Sequence, residues 1–217
     1  MKMKKTLLTS SLFFILLSGL LTIVFSSTLY LMMGWNMLLA VISLFLIFLF
    51  NKSTNRYLKI IILLLWILFF PNTFYFITDL IHIARFSFFE QANYSSYFVK
   101  NIEGYIFIIF ILFGTIISLR IGLESLNEYI IYNIENKMLK ISNFIIVLCI
   151  SLLSSIGIFI GRFLRFNSWD ILRPLNLISK VVKEIDSFSI AFILLFTIVH
   201  LVIICYDQYK RGVVWKK

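Results

Sequence analysis

Asn72, Tyr75, Asp79 and His82 are the residues of this chain whose types and spacing best suit chemistry. If the backbone is helical there, offsets of three, seven and ten residues put all four on one face. A carboxylate beside an imidazole can act as a base with its orienting partner, or as a proton relay. A competing reading makes Asp79 or Thr78 the cap of a short interfacial helix beginning at Leu80, with His82 at headgroup level. Just upstream, Pro71 removes a backbone donor and obstructs the carbonyl four residues back. A kink is therefore expected, with Asn72 the nearest partner for the freed backbone groups.

A second polar knot is the decapeptide Gly161-Arg162-Phe163-Leu164-Arg165-Phe166-Asn167-Ser168-Trp169-Asp170. Arg162 and Arg165 are three apart, so both can leave one side of a helix end and fork onto a phosphate or carboxylate. Trp169 suits a headgroup-level anchor. Asn167 or Ser168 is a candidate N-cap, with Asp170 in the first turn, where a carboxylate complements the helix dipole. The alternative is an ion-pair knot in which the two arginines neutralise Asp79 and Asp170 and lock two helices together. Trp35-Asn36 forms a third, smaller polar cluster. His200 lies deep in an apolar run, too far along its helix to meet His82, and a hydrogen bond across helices would satisfy it. With two histidines in the chain, no metal set is expected.

The elements that must hold these residues are set by composition. Of 217 residues 61% are hydrophobic and 14% charged, and the mean hydropathy is +0.99. That is membrane-protein composition. The net charge of +10 falls between apolar runs, as juxtamembrane charge does. This favours lipid headgroups as partners over nucleic acid. Cys149 and Cys205 both sit in apolar runs, and no disulfide framework is expected. Nucleotide-binding loops and hydrolase elbows are absent from the sequence, and no cofactor is implied.

Residues 6–50 carry no charge and would form a helix of about 67 Å if continuous, about twice what a bilayer needs. Two spans are therefore expected, divided at Gly34-Trp35-Asn36. The full reading is an all-α, six-span polytopic membrane protein forming a single domain, residues 1–217. Its spans lie near 7–31, 35–50, 57–76, 102–119, 141–160 and 188–206. The first span is too long for a signal-peptide core and reads as an uncleaved anchor. Thirteen of the twenty lysines and arginines fall on one side, which puts both termini in the cytoplasm. Residues 123–138 read as an amphipathic helix or an extension of the fourth span, and 175–186 as a helix lying on the outer surface. All three polar clusters then meet on the non-cytoplasmic face.

The chain resembles the uncharacterised bacterial membrane-protein family named DUF1361. The resemblance rests on Phe70-Pro71-Asn72 with Tyr75 and Thr78-Asp79-Leu80-Ile81-His82, and on the decapeptide. It covers the second through the sixth span. Phe166, where tryptophan is common, and Phe74, where a small residue or proline is frequent, depart from the pattern but stay apolar. The resemblance implies a multi-pass protein of the bacterial cytoplasmic membrane and carries no established activity. Two functions stay open on these residues. One is binding or processing of an anionic lipid or lipid-linked phosphate, with Arg162 and Arg165 on the anion and Asp79 and His82 handling protons. The other is an accessory membrane subunit whose polar residues only fasten helices. A small transporter ranks third, because little polarity continues through the midplane. Single cysteines at Ser95 and Ser168, in a background lacking Cys149 and Cys205, are expected to label from the non-cytoplasmic side; labelling from the cytoplasm would break the convergence.

Overall fold

A computed structural model describes residues 5–92, 95–136, 142–166 and 174–212. The long uncharged run divides into α1 (Lys5–Phe25) and α2 (Thr28–Lys52). The expected break at Gly34-Trp35-Asn36 is not where the chain turns. It turns at Ser26-Ser27, where Ser26 adopts a left-handed φ of 50°. Gly34 instead lies inside α2 and serves a close helix contact, since a Cβ there would sit 2.1 Å from Ser18 Oγ of α1. Small residues let membrane helices approach in this way, and a glycine used for approach mimics a turn signal in sequence. The two first spans are therefore Lys5–Phe25 and Thr28–Lys52, and Asn36 sits within a helix.

The third span has three parts: α3 (Arg56–Phe69), α4 (Asn72–Asp79) and a 3₁₀ turn (Leu80–Arg85). Asn55 caps α3, its side chain accepting from the backbone N–H of Tyr57 at 2.9 Å and of Leu58 at 3.2 Å. Pro71 separates α3 from α4 as its chemistry requires. Around it the backbone tightens to Thr73 N–H on Phe70 O and Phe74 N–H on Pro71 O. The shift leaves Phe69 O to a side chain, Asn72 Nδ2 donating to it at 3.0 Å, and Thr73 Oγ1 adds a second bond to Phe70 O at 2.8 Å. Ser118 of the next helix donates to Thr73 O at 2.8 Å, tying the break to its neighbour.

Beyond Arg85 the chain forms a short antiparallel hairpin, β1 (Phe89–Ala92) with β2 (Ser95–Phe98), in which Phe89 faces Phe98 and Glu90 faces Tyr97. Tyr97 donates to Glu90 Oε2 at 2.7 Å, a bond that pushes the phenol pKa above its usual value. Strands of four residues leave too little alternation for the hairpin to show in the sequence.

The fourth span belongs to α5 (Ile102–Asn136), which at 35 residues measures about 52 Å and exceeds the roughly 30 Å hydrocarbon core. The amphipathic stretch after Arg120 is thus an extension of this span, although Met138 lies outside the described residues. The remaining helices are α6 (Asn143–Phe163), α7 (Pro174–Glu184) and α8 (Ser187–Arg211). Asp186 and Ser189 form a capping box on α8, and the hydrogen bonds from Ser189 hold the Asp186 carboxyl below its usual range. Gly212 closes α8 in the left-handed conformation, φ 65°.

Among the described residues six helices, α3 taken with its extensions, are long and apolar enough to cross a membrane. The core runs along α2, α4 and α5, where Phe14 of α1 stacks on Phe110 at 4.3 Å between ring centres and Trp66 stacks on Tyr129 at 5.3 Å. Glycines set the spacing elsewhere: a Cβ at Gly157 of α6 would lie 2.7 Å from the Pro71 ring. Gly157→Ala is expected to cost about 1–3 kcal/mol through overpacking. Thermal unfolding in detergent micelles checks this against Gly19→Ala, which meets nothing within 4 Å and should leave the melting temperature unchanged or raised.

Candidate functional site

Asp79 closes α4 and is fully buried. Its N-terminal neighbour on the helix, Thr78, and the following 3₁₀ turn give it no capping duty, for no side-chain cap bond is made there. The carboxylate instead reaches sideways to two other helices. Asn36 Nδ2 of α2 donates to Oδ2 at 2.8 Å, and Arg162 Nη2 of α6 donates to Oδ1. Capping is thus overturned for Asp79, because a buried charge takes a guanidinium partner in preference to a backbone amide the 3₁₀ turn already engages.

Arg162 is held from three directions. Thr78 Oγ1 accepts from its Nε at 3.2 Å and from Nη2 at 2.5 Å, while the same hydroxyl donates to Tyr75 O at 2.6 Å. The guanidinium lies 4.4 Å from the centre of the Tyr75 ring, a favourable cation–π distance. Gly161 permits this approach, since a Cβ there would come within 3.3 Å of the Tyr75 ring. The fourth direction is looser. Nη1 lies 3.5 Å from His82 Nε2, and that nitrogen is 3.8 Å from Asp79 Oδ1. Because Nη1 only donates, neutral His82 must present a bare Nε2 to it, whereas a protonated ring, a donor at both nitrogens, can no longer accept from Arg162 and is free to donate to another acceptor. Arg162 and His82 keep side-chain exposures of 18% and 15% against 0% for Asp79, so these two residues form the accessible edge of the cluster.

The sequence-derived residues divide clearly. Tyr75, Asp79, His82 and Arg162 come together. Asn72 shares their helix but spends its amide on the Phe69 carbonyl. Arg165 does not share a helix face with Arg162: α6 ends at Phe163, and Arg165 follows exposed in a left-handed turn, φ 57°. Among the described residues it makes no ion pair. Asn167, Ser168, Trp169 and Asp170, with their proposed cap, anchor and ion-pair duties, lie outside the described residues. Asn36 and Thr78 are the members of the cluster not singled out as site residues. The signal for Asn36 was available, an amide inside a span with no other purpose in lipid, but it was read as part of a turn.

A family model described as Protein of unknown function (DUF1361) matches residues 35–203. The chain belongs to this family. The matched region of this DUF1361 protein contains every member of the cluster, from Asn36 to Arg162. No curated protein and no solved structure matches the chain.

Elsewhere in this DUF1361 protein two further polar side chains, His200 and Arg211, are paired across helices. His200 stacks on Phe74 with centres 4.0 Å apart. Its Nδ1 donates to Phe196 O at 2.7 Å and its Nε2 faces Ser154 Oγ at 2.9 Å, which is the cross-helix bond expected of it. At the far end of the bundle Arg211 joins Asp207 at 2.6 Å and Glu124 at 2.7 Å. Among the described residues no group of three or more His, Cys, Asp or Glu is arranged for a metal ion.

The Arg162–Asp79 pair should dominate the stability of this region. Arg162→Ala and Asp79→Ala are each expected to cost about 3–5 kcal/mol, because each strands a buried partner. The double variant should lose about 1–3 kcal/mol less than the sum. A thermal or denaturant double-mutant cycle in micelles measures this coupling, and additive losses would count against the pair as the fastening element.

Proposed function

We propose that this multi-pass membrane protein binds the anionic headgroup of a lipid or lipid-linked phosphate at the outer face of a bacterial cytoplasmic membrane. The observation that carries the reading is the partly exposed pair Arg162 and His82, whose Nη1 and Nε2 lie 3.5 Å apart beside a fully buried carboxylate. Two nitrogen donors so spaced suit two oxygens of one phosphate once His82 carries its second proton, and the anion itself favours that proton. Asp79 then acts as a positioning residue. Both its oxygens are engaged and it is fully buried, so it holds the guanidinium flat on Tyr75 and touches no ligand. With Asp79 so engaged, His82 has no free carboxylate of this cluster to work with as a general base, which favours binding over bond cleavage as the primary role. The excess of lysine and arginine at the opposite end supports the outer-face orientation.

A second reading has support from one fact: Asp79 links α2, α4 and α6 in a single network. On that reading the protein is an accessory membrane subunit and the cluster is only a fastening. The two readings part at His82, which contributes to the edge but little to the link.

The test uses the purified protein in micelles, with short-chain phosphatidic acid as probe and matched phosphatidylcholine as control. Wild type is expected to be stabilised by the anionic lipid alone. His82→Ala should stay folded and weaken that binding by about tenfold or more, the worth of one charge-assisted hydrogen bond. Equal binding by wild type and His82→Ala would leave the fastening reading in possession.

A further inference from the structure

The groove of ≈ 650 Å³ between α1 and α2 lies beside this cluster, yet none of the cluster residues lines it. Its floor is the contact of Ser18 with Gly34, where the helices come too close for a Cβ. Its walls are apolar, formed by Ile15, Leu31, Met32 and Leu38, with Trp35 along one side. One end is marked by Thr28 at the start of α2, and Arg85 supplies the only formal charge in the lining. Arg85 is exposed and, among the described residues, makes no ion pair. From Thr28 to Leu38 the groove follows α2 for ten residues, about 15 Å. That is half of a hydrocarbon core of roughly 30 Å, the depth of one leaflet.

The 3₁₀ turn connects this groove to the candidate site. Residues three apart eclipse one another in a 3₁₀ helix, so Asp79, His82 and Arg85 follow one edge of the turn. Arg85 thus lines the groove one turn beyond His82, and α2 offers Trp35 to the groove and Asn36 to the buried carboxylate.

We infer that the groove holds one hydrocarbon chain of an anionic phospholipid, whose phosphate lies between Arg85 and the Arg162–His82 edge. The inference rests on the anionic-headgroup reading above and adds to it the part of the ligand that confers lipid character. Charge complementarity selects the occupant. A neutral apolar helix would leave Arg85 without a counter-charge at the membrane surface, whereas a phospholipid supplies both the chain and the anion. The one-leaflet length fits a chain entering from the same side as its headgroup. Because the wall residues are half-exposed to the bilayer, a lipid can enter sideways without any helix separating.

Native mass spectrometry and a competition assay in micelles test this, with long-chain and short-chain phosphatidic acid and long-chain phosphatidylcholine as probes. Wild type is expected to prefer the long-chain acid over the short-chain acid and over phosphatidylcholine, each by about tenfold, near the worth of two buried methylenes or one charged contact. Leu38→Trp, filling the groove, should abolish the chain-length preference while short-chain binding persists. Leu31→Trp repeats the test at a second wall position. Leu195→Trp, on the lipid-facing side of α8, should change nothing. Arg85→Gln should remove most of the preference for the acid over phosphatidylcholine. If Leu38→Trp and Leu31→Trp keep the wild-type chain-length preference, the chain is held elsewhere and the groove inference is overturned, even where short-chain binding still depends on His82. If long-chain binding depends on Leu38 and Arg85 but not on His82, the groove stands and the headgroup site proposed above falls.

Discussion

A carboxylate with no exposure to solvent is the constraint on which this end of the bundle depends. Hydrocarbon offers Asp79 no counter-charge, so the protein must bring one, and the positions of three helices follow from that need. Arg162 fixes how far α6 advances before it ends. Asn36 fixes the depth of α2 relative to α4. The glycines at 157 and 161 let α6 lie against Pro71 and Tyr75, closely enough for the guanidinium to reach. The proline break, in turn, is what carries Asp79 into line with α2 and α6.

Most hydroxyls in the spans bond to their own helix, as Ser11 does to Leu7 O and Thr115 to Ile111 O. Such bonds satisfy a polar group without telling one helix where its neighbour is. Positioning comes from those that cross, and toward the Asp79 end of the bundle there are four: Ser118 on Thr73 O, Ser154 with His200, Asn36 on Asp79, and Arg162 on Thr78 and Asp79. Three of these four converge on α4, an eight-residue segment, which makes the shortest helix of the core its best-located part.

The fold class and the number of spans were legible because hydropathy over about twenty residues is a strong signal. The kink at Pro71 and the service of Asn72 to a freed carbonyl were legible because both follow from proline's missing donor. The α1–α2 turn was not, because Gly34-Trp35-Asn36 carries the composition of a turn for reasons of packing and pairing, whereas Ser26-Ser27 carries no strong turn signal. Tyr75, Asp79, His82 and Arg162 were readable as a group from spacing and charge. Their division of labour was not, since exposure decides which member is positioned and which is offered to a ligand. The separation of Arg165 from Arg162 could not be seen either: three-residue spacing promises a shared face only while the helix continues, and α6 stops between them.

The length of α5 gives the molecule a draught. A rod of 35 residues cannot be hidden in a bilayer by tilting, so some of it stands proud of the membrane. Glu124, Asn127 and Asn133 lie more than about 30 Å along the rod from Ile102, in the part that carries the Arg211–Glu124 ion pair, while Asp79 lies toward the other end. The two charge clusters therefore answer to different media. Water and its counter-ions reach the first through the partly exposed Arg211 guanidinium, while the burial of Glu124 keeps that screening weak. The second is governed by the lipids around it, so changing the salt acts on one end of the protein and changing the membrane acts on the other.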